Sequence, residues 1–431
     1  MFRAVRDLAA SAIRAFCSRR IAQFVRFFKT IYCGASGVYQ SQSNYTASKL
    51  VSVFQRYYER PADSQIREAA GKLATELVCK SYRFPHPRQI KKSGKNVVFF
   101  SDWRANVILR NIDSQLRSGY GIHFPDRTEI VSQLIKLVDE RAFSEVIRTD
   151  VKEFFESISY ERVLQQILDD RRVCNQTLSL LFSLKEMLPA TMKGLPRGLP
   201  IASTMSEVFM GEIDRTIRSV PGVYFYMRYV DDIVLLSYGP RGSVLKEIAA
   251  AMTEHGLVLN SEKTEVVASG SQDRLDISYL GYTLSASFIQ KKAPITVSIS
   301  QEKVKKIKSR IISALLAFGR DRDFSLLKDR IHFLADASPV FSKGRIQGAL
   351  RRGLFFNYKL INEVDALKEL DSFKAAAIYS NRPGFSKKAG LHLSGEQKRI
   401  LASISFLRGY EQKRRKSFSG HRMTKIMEAF Q

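Results

Sequence analysis

The chain has 431 residues, 45% of them apolar, enough to bury a sizeable core, so it reads as a globular protein of two or three domains. Lysine and arginine number 69 against 42 aspartates and glutamates, and a net +27 points to a polyanionic partner, nucleic acid first, above a merely solvated basic surface. Cys17, Cys33, Cys79 and Cys174 lack C-x-x-C spacing and no apolar run reaches a membrane span, which argues against zinc, disulfide and membrane classes and fits a reducing cytoplasm.

In chain order, "MFRAVRDLAASAIRAFCSRRIAQFVRFFKT" is basic and amphipathic, as a transit peptide or an RNA-binding helix would be. Apolar positions every three or four residues in "DSQIREAAGKLATELVCKSY" predict helix, so residues 1–80 form a helical extension. The prolines of "FPHPRQIKKSGKNVVFFSDWR" break that pattern. Basic residues around Gly94 and the β-prone run Val97 to Phe100 then predict a hairpin presenting positive charge. From about 105 to 290, helical stretches alternate with the short strands "EVIRTDV", "VYFYMRYV", "DIVLLSY" and "TEVVAS", an α+β pattern with an antiparallel sheet backed by helices on one face. Beyond 300 the chain turns helical and basic, with Lys303, Lys305, Lys306, Lys308 and Arg310 crowding one helix. "KGRIQGALRRGLFFNYKLI" and "EQKRRKSFSGHRMTK" then mix cations with aromatic rings, which suits phosphates and unpaired bases. The expected boundaries are 1–80, 81–295 and 296–431.

The acids carry the chemistry. Asp231 and Asp232 lie between two apolar runs in "YMRYVDDIVL", where uncompensated carboxylates are costly. A hairpin with the pair at its tip is the natural geometry, and Asp150 ends another strand-like run. Alternation along a strand sends neighbours to opposite faces unless the turn intervenes, so one of the pair, Asp231 by preference, joins Asp150. Divalent cations relieve the repulsion, and two such ions support in-line nucleotidyl transfer. Surface acids in an exposed hairpin are the plainer alternative.

Seven blocks in order resemble the fingers and palm motifs of reverse transcriptases, bacterial retron and group II intron enzymes in particular. They are "KKSGKNVVFFSDWRANVI", "GIHFPDRTEI", "RTDVKEFFESI", "GLPRGLPIAS", "RYVDDIVLL", "LVLNSEKTE" and "SYLGYTL". The resemblance implies a right-hand polymerase, with fingers and palm over 81–295, a helical N-terminal extension, and a helical basic thumb with an RNA-binding region beyond. It implies Asp150, Asp231 and Asp232 as catalytic acids and, with the Val151 carbonyl, as ligands of two Mg²⁺ ions, Mn²⁺ being an alternative. Phe155 matches the ring that excludes a ribose 2′-hydroxyl, or is a core aromatic beside Phe154. Lys263 matches a lysine near the triphosphate, or is an exposed lysine. Lys92 and Lys95 match a fingers tip that contacts the incoming triphosphate, Arg104 a template contact, and "YLGY" the primer grip.

Two positions depart from the family pattern. "LPRGLP" supplies Arg197, before Gly198, where a glutamine is usual, and Val97 stands where the family has a triphosphate-clamping arginine, leaving that task to the lysines or Arg88. The implied function is RNA-directed DNA synthesis from dNTPs on an RNA template. Within the family the "PRGLPIAS" block, the N-terminal extension and "FFNYKLI" resemble the defence-associated antiphage enzymes, with a dedicated, structured noncoding RNA and a partner protein or homo-oligomer. A retron-type enzyme, a template-independent or protein-primed DNA polymerase, and a silent RNA-binding scaffold are the alternatives.

Overall fold

The computed structural model describes residues 44–58, 61–92, 94–238, 240, 242–269, 273–290, 293–342, 345–380 and 393–430. The basic stretch read as a transit peptide or RNA-binding helix lies outside them. Contacts divide the chain into two compact units, one reaching to Ile122 and including Ser159–Met205, the other His123–Ile158 with Ser206 onward.

The first unit holds α1 (Ala47–Tyr58), α2 (Ser64–Val78), the hairpin β1 (Arg88–Lys92) and β2 (Lys95–Phe99), and α3 (Trp103–Tyr120). The chain then supplies α4 (Arg127–Glu140), β3 (Glu145–Asp150) and α5 (Phe154–Ser157) to the second unit before returning with α6 (Tyr160–Asp170) and α7 (Asn175–Met187). Asp63 and Asp102 cap α2 and α3 by accepting the Ile66 and Arg104 amide N–H, which satisfies donors that have no partner inside the helix. Inside the unit, Tyr45 Oη and Thr177 Oγ1 meet at 2.8 Å and Tyr160 Oη donates to the Leu181 carbonyl at 2.9 Å, so buried hydroxyls tie the helices together.

Helix α8 (Ile201–Ser219) leads into the second unit, where β4 (Val223–Tyr229), β5 (Asp232–Ser237), α9 (Ser243–Glu254) and β6 (Glu265–Ala268) follow. Strands β4, β5, β3 and β6 form, in that order, an antiparallel sheet. The two inner strands are buried almost throughout: in β5 this matches the apolar run Ile233–Leu236, whereas in β3 it takes in Glu145, Thr149 and Asp150 beside Val146 and Ile147. A second antiparallel sheet joins β7 (Arg274–Tyr279), β8 (Tyr282–Ser287) and β9 (Thr296–Ile299).

The C-terminal part runs through α10 (Gln301–Asp321), α11 (Phe324–Ala335), β10 (Ser338–Ser342), β11 (Arg345–Arg352), α12 (Leu354–Asn357), α13 (Asp365–Tyr379), α14 (Gly395–Ser403), α15 (Phe406–Glu411) and α16 (Gly420–Glu428). It is helical as expected except for the β10–β11 hairpin, which periodicity in that basic stretch does not reveal. One apolar cluster joins Val146, Val234 and Leu236 of the first sheet to Leu284 and Val297 of the second and to Leu315, Ile331, Leu370 and Phe406 of the helices. That shared core fixes the four-stranded sheet, and with it the acids at its end, on a rigid base.

Candidate active site

Strand β3 delivers Asp150 as its last residue, and Asp150 is only 6% exposed. Beyond it the backbone keeps pairing: the Asn260 N–H donates to the Asp150 carbonyl at 2.7 Å and the Lys152 N–H to the Val258 carbonyl at 2.8 Å. This bridge brings the turn Ser261–Lys263 against the strand end, and Lys263 Nζ donates to Asp150 Oδ2 at 2.9 Å. The lysine pKa is raised, first by that hydrogen bond and further by the charges of Asp150, Asp231 and Asp232.

Strands β4 and β5 form a hairpin closed by Tyr229 opposite Asp232, so Val230 and Asp231 are the two residues of its turn. In register, the residue opposite Asp150 is Asp232, whereas alternation alone favours Asp231 as its companion. The physical reason is that directly opposed residues on antiparallel strands share a face, while Asp231 sits in the turn and escapes the alternation. Asp231 meets the end of β3 through its backbone, its carbonyl accepting the Val151 N–H at 3.1 Å. The Asp232 carboxyl has its pKa raised, first by desolvation and then by the neighbouring Asp231 charge, with Asp150 adding to it and Arg148 opposing it. All three acids therefore act within one electrostatic field.

Sequence reasoning passes over several residues of this centre. Arg148 Nη2 lies 3.9 Å from Asp232 Oδ1 and Arg148 Nη1 3.4 Å from Glu265 Oε1. Its position two residues before Asp150 on one strand is the signal that could have found it. Tyr279, 1% exposed, donates from its hydroxyl to the Asp232 carbonyl at 3.3 Å, and burial followed by the Asp232 charge raises its pKa.

The donor chemistry fits hard divalent cations, since carboxylates crowded in a partly desolvated site are stabilised by oxygen-coordinated metal. Among the described residues no three acidic, His or Cys side chains stand as a ready metal cage. The Lys263 ammonium and the Arg148 guanidinium instead compensate Asp150 and Asp232.

The rings of Phe154 and Phe155 have centroids 5.3 Å apart at 73°. Phe154 is 2% exposed and belongs to the interior, whereas Phe155 is half-buried, so Phe155 is the ring with an accessible side. In "YLGY", Tyr279 and Tyr282 are each 1% exposed and pair across β7 and β8, leaving Leu280 and Gly281 as a turn with φ of 47° and 82°. Arg127 Nε donates to the Leu280 carbonyl at 2.7 Å, which holds that turn.

In the first unit, Lys92 and Lys95 are register partners at the hairpin tip, either side of Gly94 at φ 76°. Arg104 lies in the first turn of α3, its Nε 3.2 Å from Asp102 Oδ2. The two departures from the family pattern meet here. The Val98 N–H donates to the Arg197 carbonyl at 2.8 Å, and a Cβ on Gly198 would lie 2.5 Å from Val97 Cγ1 and 2.6 Å from the Val98 carbonyl oxygen. Gly198 also has φ 102°, so glycine is what allows the "PRG" loop to lie on β2.

Residues 80–284 match the family model described as reverse transcriptase (RNA-dependent DNA polymerase). No curated protein matches the chain. Among solved structures the chain is similar to apo telomerase from Candida tropicalis, at 11% identity and a TM-score of 0.39 over 84% of this chain and 70% of that one. The same apo telomerase truncated from its C-terminal domain aligns at 12% identity and a TM-score of 0.35, covering 54% of this chain and 60% of that one. Telomerase from Candida albicans in complex with a TWJ fragment of telomeric RNA aligns at 11% and 0.35, covering 83% and 65%. The chain thus spans less than two thirds of the length of the truncated telomerase and of the RNA complex. No described helix is long and apolar enough to cross a membrane.

Proposed function

We propose that residues 80–284, which match the reverse transcriptase (RNA-dependent DNA polymerase) family model, act as an RNA-directed DNA polymerase, and that Asp150, Asp231 and Asp232 are the acids of its nucleotidyl-transfer centre. The observation that carries this reading is the meeting of β3 with the β4–β5 turn, which brings three carboxylates into one field beside the Lys263 ammonium. Asp150 and Asp231, with the Val151 carbonyl and Asp232 nearby, would hold two Mg²⁺ ions. When bound, these ions supply activation of the primer 3′-hydroxyl and stabilisation of the leaving pyrophosphate.

The chain's own groups divide the remaining work. Lys263 is the cation of the site, turning from Asp150 to the triphosphate and able to give a proton to pyrophosphate. Phe155 offers its accessible side to the sugar and selects dNTPs. Lys92, Lys95, Arg197 and Gly198 handle the incoming nucleotide and Arg104 the template, within a right-hand arrangement whose basic C-terminal helices track a template–primer duplex. Our finer reading is a cytoplasmic, defence-associated enzyme copying a dedicated noncoding RNA, supported by the "PRGLPIAS" and "FFNYKLI" blocks.

Asp231→Ala combined with Asp232→Ala tests the centre: Mg²⁺-dependent dNTP incorporation is abolished while RNA binding and the fold persist. Retained incorporation refutes the assignment. Sequencing the nucleic acid that copurifies, together with the DNA made, tests the template: one fixed RNA with complementary DNA supports the finer reading. DNA synthesis that survives RNase without added template favours a template-independent enzyme instead.

A further inference from the structure

Val230, immediately before Asp231, has φ 62°. This left-handed region is the place of glycine in a two-residue hairpin turn, and a β-branched residue there is a strained outlier. Something outside the turn must hold it, and the structure shows what does.

Arg228, two residues earlier on β4, is 8% exposed, and each of its five N–H donors has an acceptor. Its Nη1 and Nη2 bond both carboxylate oxygens of Glu207 at 2.9 and 2.7 Å, and its Nε and Nη2 bond both oxygens of Asp214 at 3.0 and 2.7 Å. The remaining donor, on Nη1, goes to the Val230 carbonyl at 2.9 Å. Glu207 and Asp214 are seven residues apart on α8, two helical turns and hence one face. Tyr226 Oη donates to Asp214 Oδ1 at 2.7 Å and fixes that carboxylate in turn.

The peptide before Asp231 is therefore tied to α8 through Arg228, and the peptide after it is tied to β3, because the Asp231 carbonyl accepts the Val151 N–H. Both peptides flanking the Asp231 Cα are fixed, from two different elements. We infer that Arg228 is a positioning residue: anchored by Glu207 and Asp214, it holds the strained Val230–Asp231 turn and so sets where the Asp231 carboxylate stands. It acts through the turn and touches neither nucleotide nor primer. This role rests on the reading of Asp231 as a polymerase acid.

The test uses the full chain on a primed RNA template. Arg228→Lys keeps the charge between Glu207 and Asp214, but one ammonium cannot span both carboxylates and the Val230 carbonyl. The expected result is a kcat lowered about 10- to 100-fold, as for a small misplacement of a reacting group, with the dNTP KM and primer–template Kd within about twofold. Val230→Gly added to Arg228→Lys removes the strain the clamp opposes and restores kcat about tenfold. Exchange of the Val151 amide hydrogen rises in Arg228→Lys and falls back in the double variant.

An unchanged kcat, an effect confined to KM, or no recovery with Val230→Gly overturns the assignment. If Arg228→Lys does not fold, Glu207→Gln decides, because it leaves the Asp214 pair intact: the expected kcat is several-fold lower with KM unchanged, and wild-type kcat overturns the clamp. If the wild-type chain incorporates no dNTP, the polymerase reading fails by itself, and Val151 exchange still judges the clamp.

Discussion

Replacing Gly198 by alanine puts one methyl group where the backbone of β2 already lies. The added Cβ meets Val97 Cγ1 at 2.5 Å and the Val98 carbonyl oxygen at 2.6 Å, at a φ of 102° that L residues avoid. The left-handed conformation costs about 1–2 kcal/mol for an L residue. Relieving the overlap with a carbonyl requires the loop to lift, which breaks the bond from the Val98 N–H to the Arg197 carbonyl and forfeits about 0.5–1.5 kcal/mol. The sum is about 1.5–3.5 kcal/mol against the docked loop. Urea unfolding reports the loss, limited proteolysis at the β1–β2 hairpin reports the loosened loop, and, on the proposed role of Arg197 at the nucleotide, steady-state incorporation reports a raised dNTP KM. Adding Val97→Ala removes the Cγ1 contact but neither the carbonyl overlap nor the backbone penalty, so it recovers less than half of the loss. Stability within about 0.5 kcal/mol of wild type, together with an unchanged KM, would refute the close-approach argument.

On the proposed reading of half-buried Phe155 as the ring that meets the sugar, Phe155→Val admits ribonucleotides, seen as a lowered dNTP-over-rNTP ratio of kcat/KM; an unchanged ratio removes the gate role. Lys374, 1% exposed, bonds the Ile404 carbonyl and, at 3.2 Å, that of Ala402, so Lys374→Met leaves both carbonyls without it and lowers stability by about 1–3 kcal/mol in chemical denaturation. Burial also lowers the Lys374 pKa, so between that lowered value and the ordinary 10.5 the unfolded chain binds the proton that the folded chain releases. Stability from this group therefore rises with pH across that window, and Lys374→Met loses the increment in a pH series of unfolding free energies.

Most of the elements that build the centre were legible because their residues obey short-range rules. "DIVLLS" is a short, β-prone apolar run and "EVIRTD" a short one with β-branched residues, both bounded as strands are, and Asp-capped α2 and α3 start where their caps stand. The hairpin carrying Lys92 and Lys95 was legible from its glycine and its β-prone arm. The β10–β11 hairpin was not, because alternation is weak in a stretch whose charges recur at nearly every spacing. Nor was the proximity of Val97 and Arg197 legible, since 100 residues separate them and only the docking of the "PRG" loop on β2 makes them neighbours.

The sequence by itself determined which residue types are on offer: a strongly basic chain, acids at strand ends and in the turn between them, and a lysine in "NSEKTE". Only the tertiary structure decided that Asp232 lies in register with Asp150, that Lys263 reaches Asp150, and that Arg228 ties the turn before Asp231 to α8. The reason is physical. Residue type and local periodicity fix what a segment can be, but which carboxylates share a field depends on strand register and on long-range bonds that pay their entropy only once the core has closed.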